Sequence, residues 1–124
     1  MSDPHKILVI DDDPNIIDFC TTVLEASGYT LRAAASGAEG LALAQSEAPD
    51  LVILDIMMEE VDSGFQVAQQ LSASGTPIIM LSSIAGATAR TIDWSTLPVA
   101  ELIDKPISPE LLIKKVEKLL ARRR

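Results

Sequence analysis

Four sets of polar residues have the types and spacing to do chemistry: Asp11-Asp12-Asp13, Asp55, Ser82-Ser83 and Lys105-Pro106. Each comes at the end of a short apolar run. If those runs are neighbouring strands of an open parallel sheet, they deliver carboxylates, hydroxyls and a lysine to one edge. In such sheets, ligands bind beyond the carboxyl ends of the strands. Two carboxylates about 4 Å apart repel by roughly 4 kcal/mol at an effective dielectric of 20. Three therefore call for a compensating cation. Lys105 supplies one charge, and a divalent metal is the natural remainder. All-oxygen ligation suits Mg²⁺, which takes one or two carboxylates and keeps several waters for a phosphate to displace. A carboxylate in such a site can itself be the nucleophile that forms an aspartyl-phosphate. A metal, a lysine and a hydroxyl would then neutralise or hydrogen-bond the oxygens of the transferring group.

The elements that must position these residues alternate strand and helix along the chain. Lys6-Ile7-Leu8-Val9-Ile10 is continuous and β-branched, as a strand covered on both faces reads. Asp13 before Pro14 predicts a helix N-cap followed by proline at the first helical position. Ile16, Ile17, Cys20, Val23 and Leu24 recur at helical spacing up to a stop at Gly28. Tyr29 to Ala34 reads as a second strand. Ser36-Gly37-Ala38-Glu39 matches a capping box ahead of an Ala- and Leu-rich helix. Leu51 to Leu54 is the third strand and Pro77 to Leu81 the fourth. Between them, Phe65, Val67, Ala68 and Leu71 belong to a helix that ends before Gly75. Ala85 to Asp93 predicts a short or irregular helix, because Gly86, Thr88 and Thr91 are mediocre helix formers. Val99 to Ile103 is a fifth strand, and Ser108-Pro109 opens a last helix with Leu112, Val116, Leu119 and Leu120 on one stripe. This alternation predicts an α/β domain, with a parallel sheet and helices on both faces.

Composition narrows the function. The chain has 124 residues, 18 of them acidic and 10 basic, for a net charge of −8, which argues against broad nucleic-acid binding. At 48% hydrophobic residues it is globular in composition, with no apolar run long enough to span a membrane and no secretory signal. The lone Cys20 excludes an intramolecular disulfide and a multi-cysteine zinc site, and it reads as a buried, inert thiol in a reducing compartment. With His5 the only histidine, imidazole-based catalysis would have to use an N-terminal residue.

Four pieces of the chain carry a resemblance: Ile7 to Pro14, Pro49 to Met58, Pro77 to Ser82, and Asp104-Lys105-Pro106. Together, in order and at suitable spacing, they resemble the receiver domain of two-component response regulators over nearly the whole chain. The resemblance implies a single receiver domain over residues 1–124 with a flavodoxin-like, doubly wound, five-stranded parallel sheet of order 2-1-3-4-5. By the same resemblance, Asp55 is the phosphoacceptor, supplied by a histidine kinase or a histidine phosphotransfer protein. Asp12 and the Met57 backbone carbonyl join Asp55 in ligating Mg²⁺, and Asp11 holds a metal-bound water. Lys105 pairs with a phosphoryl oxygen, and Ser82 is the hydroxyl that moves toward it. The implied setting is the cytoplasm, with the protein a monomer or weak dimer that uses neither nucleic acid nor membrane and signals to a protein partner.

The sequence departs from the usual receiver pattern in places. Glu59 stands where proline is usual, and the loop Glu59 to Gly64 is one residue longer before Phe65. Leu102 replaces the aromatic switch residue, and Trp94 to Pro98 replaces the common Gly-Ala-Asp stretch. These changes predict an unusual version of the output face made by the fourth helical stretch, the fifth strand and the last helix. Met57 and Ile84, both apolar, stand where polar residues in other receivers align an attacking water, so slow self-dephosphorylation is expected.

Blander readings hold for other residues. Asp13 reads as a helix cap, Glu59, Glu60 and Asp62 as a solvated loop, and Trp94 as an anchor for an irregular loop. Arg122 to Arg124 complements the carbonyl end of the last helix. Two rival functions follow from the same residues. A pseudo-receiver that is never phosphorylated is disfavoured by the intact Asp11, Asp12, Asp55, Ser82 and Lys105. A haloacid-dehalogenase-type phosphatase would want a second Asp where Met57 stands.

Overall fold

The computed structural model describes residues 5–55, 67–71, 73–82, 101–104 and 107–122. The strands are β1 (Lys6–Ile10), β2 (Thr30–Ala34), β3 (Leu51–Asp55), β4 (Ile78–Ser82) and β5 (Glu101–Asp104). They form one parallel sheet of order β2-β1-β3-β4-β5. Order and direction match the sequence-based expectation. The strand bounds differ by a residue or two: β2 begins at Thr30 rather than Tyr29, and β4 runs one residue later at both ends.

Parallel strands need crossovers, and the described helices that make them, together with the one that follows β5, cover both faces. α1 (Pro14–Ala26) and the C-terminal helix (Pro109–Arg122) lie over Ile7, Val9, Leu51, Ile53, Ile79 and Leu81, which they meet through Cys20, Leu24, Leu112 and Val116. α2 (Gly37–Glu47) and helical residues 67–71 lie over Leu8, Ile10, Val52, Leu54, Ile78 and Met80. The period-2 alternation of each strand thus splits its side chains between two cores. Burying each large side chain stabilises the fold by about 1.5–3 kcal/mol. Cys20 is fully buried and free of any disulfide, in keeping with its reading as a small core residue.

The helix ends follow from their residues. The Asp13 carboxylate accepts from Asn15 N–H at 2.9 Å with Pro14 at the first position, so Asp13 is the N-cap of α1. The helix closes at Ser27, and Gly28 takes φ +96°, a conformation that costs glycine little. Ser36 Oγ accepts from Glu39 N–H at 3.2 Å and caps α2. α2 ends on Ala48 at φ 48°, ψ 63°, a left-handed C-cap without a glycine, directly before Pro49. In the C-terminal helix, Leu111 N–H donates to Ser108 Oγ at 3.3 Å. The expected helix at Ala85 to Asp93 and the stretch Trp94 to Pro98 lie outside the described residues.

Candidate functional site at the carboxyl edge of the sheet

The register of the central strands builds the site. Ile10 of β1 lies beside Leu54 of β3, so the next residues along, Asp11 and Asp55, emerge together. Asp55 in turn pairs with Leu81 of β4, and Ser82 with Asp104 of β5. Four strands therefore end nearly level, and their last residues face the same edge. Asp11 is fixed by one more bond, from its N–H to Ala34 O at 3.0 Å, which extends the β1–β2 ladder past the strand itself.

At that edge Asp11, Asp12 and Asp55 each offer a carboxylate oxygen within 4.8 Å of the others. Asp11 is 0% and Asp55 3% exposed, whereas Asp12 is open to solvent. Asp11 Oδ1 accepts from Asp13 N–H at 2.9 Å, which turns the chain from β1 into α1. Asp13 is spent on the helix cap and stays out of the group. At an effective dielectric of 20, ionised carboxylates this close repel by about 3 kcal/mol per pair. Burial strengthens that repulsion. A hard divalent cation fits this arrangement, because the donors are oxygen only and two of them are held nearly dry on adjacent strands.

The structure thus brings together Asp11, Asp12 and Asp55, the three acidic residues that the receiver resemblance places around the metal. The Ser82 backbone closes β4 at the same edge. Its side chain, Met57 and Lys105 lie outside the described residues, as do Glu59 to Gly64, Ile84 and the Leu102 side chain. One close approach beside the site had little signal in the sequence. Gly40 of α2 is buried against Ile10, the residue before Asp11, and the one hint of it was a glycine placed within an otherwise good helical pattern.

Comparison with known proteins agrees with this geometry. The family profile of the response regulator receiver domain matches residues 7–117. The chain is 41% identical over 118 residues to the probable transcriptional regulator ycf27 of Cyanophora paradoxa, covering 94% of this chain and 48% of that protein. It is 33% identical over 121 residues to protein PilH of Pseudomonas aeruginosa, covering 94% and 98%. The chain therefore spans about half the length of the curated relatives that head the matches, but nearly all of PilH. Among solved structures, a putative response regulator from Chloroflexus aurantiacus matches with a TM-score of 0.84 at 29% identity, covering 95% of this chain and 98% of that one. Chemotaxis protein CheY4 of Vibrio cholerae matches with a TM-score of 0.79 at 30% identity, covering 94% and 98%. Receivers of this kind generally bind Mg²⁺ at an acidic pocket and interact with kinases and output partners. Among the described residues no helix is long and apolar enough to cross a membrane. With its sheet order, its acidic edge and these likenesses taken together, the chain belongs to the response regulator receiver domain family.

Proposed function

We propose that residues 1–124 act as one phosphorelay receiver, which accepts a phosphoryl group on Asp55 and passes the resulting change to a protein partner. The observation that carries this reading is the convergence of Asp55, only 3% exposed at the end of β3, with Asp11 and Asp12. A nearly dry carboxylate is a better nucleophile than a solvated one, and its anionic neighbours make a cation necessary. The donor is a phosphohistidine on a histidine kinase or a histidine phosphotransfer protein. An Asp55 oxygen forms the new bond to phosphorus as the phosphorus–nitrogen bond opens, and the leaving imidazole takes a proton from solvent.

Asp12, Asp55 and the Met57 carbonyl would hold Mg²⁺ directly, with Asp11 acting through a water. When bound, the ion offsets the crowded negative charge and that of the incoming phosphoryl oxygens. The Lys105 ammonium pairs with one of those oxygens, and the Ser82 hydroxyl moves to another. Leu102 stands where a ring would normally follow that hydroxyl, so the switch works here by aliphatic repacking on the output face. Met57 and Ile84 keep an attacking water unaligned, and the phosphorylated form decays slowly. The setting is cytoplasmic.

Incubation with acetyl phosphate and Mg²⁺, followed by intact mass measurement, tests the reading. One added phosphoryl group is expected, absent in Asp55→Asn and in EDTA. Its slow decay checks the lifetime, and addition that survives Asp55→Asn would overturn the assignment.

A further inference from the structure

Gly40 lies in the first turn of α2, behind the Ser36 cap, with its N–H bonded to Ser36 O at 2.9 Å. A glycine inside a helix costs about 1 kcal/mol relative to alanine, so its presence needs a reason. Backbone geometry does not provide one: the positive-φ glycines of the described residues are Gly28 and Gly75. Space does. A Cβ at position 40 would lie 2.4 Å from Ile10 Cδ1, 2.7 Å from Cγ1 and 3.1 Å from Cγ2. Almost the whole side chain of Ile10 is in the way, not just its tip.

Ile10 has nowhere to go. It is 0% exposed, belongs to the same buried cluster as Leu54 and Met80, and is paired on one side with Ala34 and on the other with Leu54. A core packed to crystal-like density passes such a push along rather than absorbing it. The residues that follow Ile10 and Leu54 are Asp11 and Asp55. We infer that Gly40 is a positioning residue for the acidic site: the bare face of α2 at this point lets Ile10 sit where it sets the spacing of Asp11 and Asp55. The inference rests on the receiver reading and adds to it a residue that never touches the ligand.

The test is calorimetric titration of Mg²⁺ into the parent, Gly40→Ala, Ile10→Val and the double variant, at a temperature where thermal melts show each to be folded. Gly40→Ala is expected to weaken Mg²⁺ binding by about tenfold, as outer-shell changes do. Overpacking against Ile10 also lowers stability, so each titration is run where the melts show the variant folded, and the weaker binding then reports the site itself. Ile10→Val removes the Cδ1 carbon and leaves the other two, so the double variant should bind about threefold more weakly than Ile10→Val alone. That smaller gap is also the readout if Gly40→Ala does not fold. Equal binding by Gly40→Ala and the parent, or no relief in the double variant, overturns the inference while leaving the receiver reading intact. A parent that ignores Mg²⁺ overturns both.

Discussion

The two edges of the sheet use charge in opposite ways. At the amino edge, Glu47 accepts from Arg32 Nε at 3.2 Å and stands 3.5 Å from Lys6 Nζ. The Lys6 backbone N–H donates to Asp50 Oδ2 at 2.8 Å, and Asp50 N–H donates back to Lys6 O at 2.8 Å. Acids and bases alternate there, and every contact ties a loop or a helix end to β1 or β2. At the carboxyl edge of the same strands, Asp11, Asp12 and Asp55 are pressed against one another. The first arrangement lowers the energy of the chain alone. The second gathers like charges at one place, which a bound cation would relieve. Charges that stabilise a fold and charges held ready for a ligand are thereby told apart within one molecule.

The largest expected effect follows from that difference. Mg²⁺ at about a hundred times its Kd should add about 2.7 kcal/mol to stability in urea denaturation. Glu47→Gln, at the opposite edge, should show the same gain. A variant that lost it would mean the two edges are not independent. Glu47→Gln itself should cost about 0.5–1 kcal/mol, because its partners are half-exposed and screened, and it should leave phosphorylation of Asp55 unchanged.

The smallest effect concerns a third charged group, on the face of β5. Glu101 is held by Lys115 and Lys118 from the C-terminal helix. The Lys115 hydrogen bond, aided by the charges of both lysines and opposed by burial, holds its carboxyl below the usual 4.5. A carboxyl lowered in the folded state adds stability above its unfolded pKa, and that stability fades as pH falls through the folded value. Glu101→Gln should therefore be less stable than the parent by under about 1 kcal/mol at pH 6, with the gap closing below pH 4. A gap that persisted or widened in acid would show that the side chain contributes packing rather than charge.

Much of this was legible in the sequence, because its local and global signals agree. β1 reads as a buried strand from five consecutive residues, and Asp13-Pro14 gives the start of α1. Asp11, Asp12 and Asp55 were legible as a group because a parallel sheet gathers whatever follows its strands. The features that escaped depend on partners far along the chain. Gly40 looks like a weakness in a helix until Ile10, thirty residues earlier, is seen beneath it. Lys6 and Glu47 carry no mark of each other, for lysines and glutamates are common on any surface. The left-handed end of α2 falls on Ala48, where the familiar glycine signal is missing and Pro49 alone announces the stop.

Asp12, solvent-exposed where Asp11 and Asp55 are buried, tests most directly whether the carboxyl edge is crowded by its own charge and relieved by a cation. Thermal melts of the parent and Asp12→Asn, each in EDTA and in Mg²⁺, decide the matter. Without metal, Asp12→Asn should melt about 3 °C higher than the parent, since it removes one of the crowded charges. The rise that Mg²⁺ brings to the parent should then be mostly lost. A variant that melts lower in EDTA and keeps the full Mg²⁺ response would contradict the account.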